Sequence, residues 1–238
     1  MLVAEHNYSA GSDLDLDGWQ GAMNYAGFLR PVWTWLRGDD VRLTHFMGVP
    51  GNVPRRDGAA VVATMVAALA TMSWRSWTHS WTLLGTHDSA RIRTVAGDPD
   101  RVEVAAGLLA TLPGTPMVFA GDEIGLEGRT GEDGRRTMPW HAPDRWHRPT
   151  LRRYTDLLGL RRAEAALRHG GLRFAHVGAD AIAYWRETAH DRLLVLARRA
   201  AGAPVPLPGV RGDNLYGGAD LAGELPGDGP TFQVWRCA

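Results

Sequence analysis

The sequence predicts an α/β fold, a parallel sheet wrapped by helices, followed by a small antiparallel β domain. Three observations predict it. Up to residue 168 the chain repeats strand, polar loop and helix about four times, the rhythm of a parallel sheet with helices outside it. After Gly170 the texture changes to short apolar runs separated by Gly- and Pro-rich turns. Charged and polar residues also gather directly behind the apolar strand runs, where parallel α/β sheets keep their functional groups. The boundary is placed near residue 170, dividing the chain into 1–169 and 170–238.

Each element has a local reason. Leu2-Val3-Ala4 reads as a short strand delivering Glu5 and His6, and Gly21 to Tyr25 as a second. Asp57 to Met72 is Ala-rich with Val, Met and Leu at helical spacing, so a helix is expected there. Trp81 to Leu84 forms a third strand, stopped by Gly85 before Thr86-His87-Asp88. Asp98 as N-cap and Pro99 at the first helical position open a helix running to Leu112, which Pro113-Gly114 ends. Pro116 to Ala120 is the fourth strand, leading into Gly121-Asp122-Glu123, and residues 149–168 form an Arg- and Leu-rich helix. The later strands are read at 172–174, 181–185, 193–196 and 232–235, with turns at 203–209 and 223–230.

Composition narrows the function. With 26 acidic and 26 basic residues the 238-residue chain has zero formal charge, which argues against a nucleic-acid binder. Every cation is Arg; without Lys there is no P-loop lysine and no Schiff base. The single Cys237 excludes an internal disulfide and a cysteine zinc site. The longest apolar stretch, Ala59 to Met72, is too short for a membrane span, and no leader is legible, so the expected location is cytoplasmic.

At the predicted strand ends stand Glu5 and His6, Asn24 and Tyr25, His87 and Asp88, Asp122 and Glu123. Glu5 and Asp88 fall two strand–helix units apart, hence on one face with one strand between them. Acidic groups on one rim, with ten tryptophans in the chain to stack on sugar rings, point to carbohydrate chemistry. Other readings stay open. Asp13 to Gly18 has half the pattern of a calcium loop, although Asn24 stands where its bidentate Glu belongs. Trp74, Trp77 and Trp81 are spaced either as a buried face or as a sugar platform, Asn7-Tyr8-Ser9 matches a glycosylation sequon, and Asp122-Glu123 reads as a structural pair.

The residues carry a resemblance. Leu2 to Glu5, Met23 to Tyr25, Leu83 to Arg91, Leu112 to Gly125 and Gly134 to Trp140 resemble, in order and spacing, segments around strands five to eight of the α-amylase superfamily, glycoside hydrolase family 13. The resemblance implies an incomplete (β/α)8 TIM barrel, strands five to eight, with a C-terminal β-sandwich domain. It implies a retaining α-glycosidase acting on α-linked glucans or malto-oligosaccharides, by hydrolysis or transglycosylation. Glu5 becomes the acid/base, and His87 and Asp88 hold sugar hydroxyls as the ring flattens. Asn24, Arg91 and Arg135 are taken as substrate-binding, with Arg91 expected to pair with a carboxylate of the site. No cofactor is implied, and calcium belongs only to the full-length protein. The family's nucleophile is an aspartate on the fourth strand, in a Gly-x-Arg-x-Asp type segment that is expected to be absent from this chain. The sequence therefore reads as a fragment, inactive alone, whose partner is a missing N-terminal half chain. The alternative is a non-catalytic carbohydrate-binding or scaffolding protein with an amylase-like surface.

Overall fold

The computed structural model describes residues 1–6, 10–14 and 18–238. The sequon and half of the acidic loop at 13–18, Asp15 and Asp17 included, lie outside them.

The first strand, β1 (Val3–Ala4), pairs in parallel with β2 (Gly21–Ala22). One π-type turn, Tyr25–Leu29, then leads into α1 (Arg30–Leu36). Asn24, expected at a strand end, instead opens this turn, its Oδ1 accepting from the Gly27 N–H at 2.9 Å. The run from Tyr25 to Leu36 was not legible as helix because it is apolar on all sides and carries Pro31. That proline sits in the first turn of α1, the part of an α-helix that tolerates it best.

A small hairpin of β3 (His45–Phe46) and β4 (Val49–Pro50) precedes α2 (Gly58–Leu69), α3 (Trp74–His79) and β5 (Trp81–Leu83). The Asp57 carboxylate caps α2 by accepting from the Ala60 N–H. The helix stops at Leu69, short of the expected Met72, and the Thr71 hydroxyl takes the Ala68 carbonyl. Next come α4 (Ile92–Ala96), α5 (Pro99–Thr111) and β6 (Thr115–Met117), with the Asp98 cap and Pro99 placed as the sequence indicated. Met23 bridges in parallel to Trp81, and β5 pairs in parallel with β6. The run β1, β2, β5, β6 is thus a parallel array in chain order. Trp77 is buried whereas Trp74 is 40% exposed, so the tryptophan run is only partly a core face.

Beyond β6 lie α6 (Gly131–Gly134), α7 (Arg148–Ala163) and α8 (Ala165–His169). The antiparallel sheet starts at Gly171 with β7 (Gly171–Val177), β8 (Ala181–Glu187), β9 (Arg192–Arg198), β10 (Val205–Tyr216), β11 (Leu221–Leu225) and β12 (Thr231–Cys237). Its spatial order is β11-β10-β12-β9-β8-β7. One continuous curled sheet makes the sandwich: Leu194, Leu196 and Trp235 on its outer face are covered by Leu221, Leu225 and Val205 from its own edge.

Two strands were read as turns, β10 above all. Pro206 and Pro208 masked it. They are tolerated because the first half of β10 pairs only with β11, before a register shift between Pro206 and Arg211, so fewer N–H donors are required.

The inner face of the sheet joins the helical part in one core. Tyr184, Val195, Phe232 and Val234 pack with residues of α1, α2 and α5. Residues on β9 alternate between the two clusters, as the two-residue period of a strand requires. Gly107 on α5 makes the closest approach, since a Cβ there would land inside the Phe232 ring. Gly107→Ala is expected to lower stability by about 1–3 kcal/mol, the usual cost of overpacking, measured by denaturant unfolding.

Candidate active site

The turn behind β5 is fixed before any ligand enters. Trp33 on α1 donates its indole N–H to the Leu84 carbonyl at 2.8 Å, holding the strand end from below. Within the turn the Thr86 N–H donates to Ser89 Oγ at 2.8 Å and the Asp88 N–H to Thr86 Oγ1 at 3.2 Å. Thr86 and Ser89 are buried, so the two residues left facing outward are His87 and Asp88.

Glu5, directly after β1, meets them. His87 Nε2 lies 3.5 Å from Glu5 Oε1 and 3.4 Å from Asp88 Oδ1, and all three side chains are about half exposed. One imidazole therefore stands between two carboxylates from strands separated by β2. Among the described residues, this group alone brings three ligand-type side chains together, their donor atoms within 4.8 Å of one another.

Arg135 closes one side. It donates from Nε to the His87 carbonyl at 2.8 Å and from Nη2 to Asp88 Oδ1 at 3.1 Å. Its loop is packed tightly here: a Cβ on Gly131 would lie 2.8 Å from the Asp88 backbone. Tyr25, placed by sequence only at a strand end, lies buried within the field of this cluster. Burial raises its phenol above the ordinary range and the charges of Glu5 and Asp88 add to that, while Thr86 opposes it.

Two expected substrate contacts are corrected. Arg91 is 1% exposed and touches no open surface. Its Nε donates to the Gly134 carbonyl and Nη1 to the Ala120 carbonyl and to Asp122 Oδ1, each at 2.9 Å, while the guanidinium lies 4.1 Å over the Phe119 ring. The carboxylate it pairs with is thus Asp122, behind the site. Asn24 is buried and committed to its cap. A terminal apolar strand followed by polar residues looks alike whether those residues face a cleft or cap the next turn, so the sequence held no signal to separate them.

The string Gly209-Val210-Arg211-Gly212-Asp213 does have the Gly-x-Arg-x-Asp spacing. It lies in β10, where Asp213 stands opposite Arg236 of β12, and so cannot complete this cluster.

The arrangement is a carboxylate–imidazole–carboxylate cluster on the carboxyl-end rim of parallel strands, the class of site that enzymes of barrel type build for polar substrates. Residues 56–170, just under half of the chain, match the family model for the alpha amylase catalytic domain, which bears out the resemblance to that family. The matched stretch includes His87, Asp88, Arg91 and Arg135 but not Glu5. A cyclomaltodextrinase from a Bacillus species is 37% identical over 117 residues, 48% of this chain and 21% of the relative. Neopullulanase 2 of Thermoactinomyces vulgaris is 35% identical over 105 residues, 44% of this chain and 18% of the relative. The native form of the debranching enzyme from Nostoc punctiforme superposes with a TM-score of 0.85 at 26% identity, covering 98% of this chain and 51% of that one. The chain thus spans about a fifth of the length of these curated relatives, which are α-glucan hydrolases.

Burial pushes Asp122 up to about 6, with Arg91 pulling the other way. A carboxyl raised in the folded state adds stability at low pH that is lost as pH rises through the folded value. Removing Arg91 raises Asp122 further and extends that loss upward. Arg91→Met is therefore expected to destabilise at every pH, since the buried Gly134 and Ala120 carbonyls lose their donor, and by more at pH 8 than at pH 5, reaching about 3–5 kcal/mol, read from denaturant midpoints across that range.

Proposed function

We propose that the Glu5–His87–Asp88 cluster is part of the sugar site of a retaining α-glycosidase acting on α-glucans or malto-oligosaccharides. The convergence of both carboxylates on one imidazole carries this reading. Glu5 is the group placed to protonate the leaving glycosidic oxygen and then to activate water. Asp88 and His87 hold ring hydroxyls more tightly as positive charge develops at the anomeric carbon. Arg135 keeps Asp88 aimed. Residues 1–169 supply this wall of the site, and residues 170–238 brace it. The relatives named cyclomaltodextrinase and neopullulanase support the substrate class without choosing hydrolysis over transfer.

The nucleophile of this scheme is not among these residues. On this reading the 238-residue chain is part of an incomplete barrel and does not hydrolyse glycosides alone; a segment carrying the fourth-strand aspartate is its missing partner. The second reading, a non-catalytic glucan-binding protein, shares the surface but not the chemistry.

An external nucleophile separates the two. With α-maltosyl fluoride and sodium azide, azide attacks the anomeric carbon from the vacant face as the C–F bond breaks and fluoride leaves, giving β-maltosyl azide. The expected result is product from the wild-type chain, about 100-fold less from Asp88→Asn, and little change in Glu5→Gln, because fluoride needs no proton donor. Maltosyl fluoride bound but never converted above the buffer rate would favour the binding protein.

A further inference from the structure

On the loop between α6 and α7 the fold displays a large aromatic surface that the cluster does not use. Trp140 is 71% exposed, as open as the first residue of the chain. It is not loosely held. Trp146 stands against it edge to face, ring centroids 5.7 Å apart at 70°. Trp146 is itself fixed, its indole N–H donating to the Pro139 carbonyl at 3.2 Å and the Arg148 guanidinium lying 5.2 Å over its ring. A turn at Pro143–Arg145 and the bond from the Trp140 N–H to the Met138 carbonyl set the backbone between them. Burying the ring against its neighbours would remove apolar area from water; the loop instead props it outward.

The same loop is tied to the cluster. Arg135, bonded to Asp88 and to the His87 carbonyl, is five residues before Trp140. Five residues of extended chain span at most about 18 Å, a distance that a linear oligosaccharide of several glucosyl units crosses.

We infer that Trp140, backed by Trp146, is a stacking platform for a glucosyl ring of a long malto-oligosaccharide, remote from the bond held at Glu5 and Asp88. The inference rests on the α-glucan reading of that cluster and adds a subsite to it. A flat indole face suits the apolar C–H face of a pyranose. His141, next in the chain, and Arg145 of the same loop are exposed and available to equatorial hydroxyls.

Titration calorimetry with maltoheptaose on the full chain tests it. Binding about tenfold weaker in Trp140→Ala, with Trp140→Phe close to wild type, is expected. Because the side chain is exposed, both variants should unfold at the wild-type midpoint. Equal affinity in wild type and Trp140→Ala, or no binding by wild type, would overturn the platform. So would a self-associated dimer, seen by sedimentation, that Trp140→Ala abolishes without changing sugar affinity, since the ring would then serve a second copy. The two readings fail separately. Azide transfer together with maltoheptaose affinity unchanged in Trp140→Ala would leave the cluster standing and remove the platform. Trp140-dependent binding without any azide product would do the reverse.

Discussion

The site depends on one buried cation. Arg91 carries its charge into a place that water does not reach, and such a charge is tolerated only when its donors are satisfied and an anion is near. The carbonyls of Gly134, Ala120 and Phe119 and the carboxylate of Asp122 meet those conditions. They come from two different loops, so one guanidinium clamps the segment after β6 and the end of α6 to the turn behind β5. Arg135 follows Gly134 directly, and its grip on Asp88 is possible only because Gly134 is held. Small residues keep the clamp closed: a Cβ on Gly85 would sit 2.8 Å from Asp122 Oδ2, and Gly121 takes a positive φ of 105° beside the guanidinium.

The antiparallel sheet is the other support. Thr111 at the end of α5 shares a 2.6 Å hydrogen bond with Tyr184 of β8, and Arg186 binds the carbonyls of Thr111 and Gly170. Trp35 of α1 donates to the Ala179 carbonyl while Arg199 donates to the carbonyls of Trp35 and Arg56. These are buried polar links, and each loses its partner if sheet and helices separate, a cost of about 1–3 kcal/mol per orphaned group. The sheet thus fixes α1 and α5 from behind, and α1 in turn fixes β5 through Trp33.

How much of this was legible follows from where the signal lies. Short apolar runs ahead of polar residues marked β1, β2, β5 and β6, and the Asp98-Pro99 cap marked α5, because those signals are local. Glu5 and Asp88 were placed on one rim by the parallel repeat alone. Arg91 was not readable. Three positions from Asp88 in a polar loop, a cation bound for the surface and one bound for the interior look the same, and only the carbonyls of residues 119, 120 and 134 decide between them. The strand at 205–216 was hidden for a related reason. Proline forbids a strand only where its N–H would be needed, and that depends on a neighbour absent from the local sequence.

The spacing of the cluster has a physical consequence. β1 and β5 are separated by β2, so two strand spacings of about 4.8 Å put their axes about 10 Å apart. Glu5 and Asp88 close that gap only because His87 stands between them with one Nε2 facing both. At half exposure this ring is surrounded by water, where unit charges 4 Å apart interact by only about 1 kcal/mol. The same geometry strengthens severalfold once a covering surface expels the water, whether that surface is a sugar ring or another part of the polypeptide. The positions of the groups are set by the strands and the Arg91 clamp; the force between them is set by what covers the rim. The strength of the cluster is therefore coupled to closure over it, and on the proposed reading such a site binds first and reacts only when enclosed.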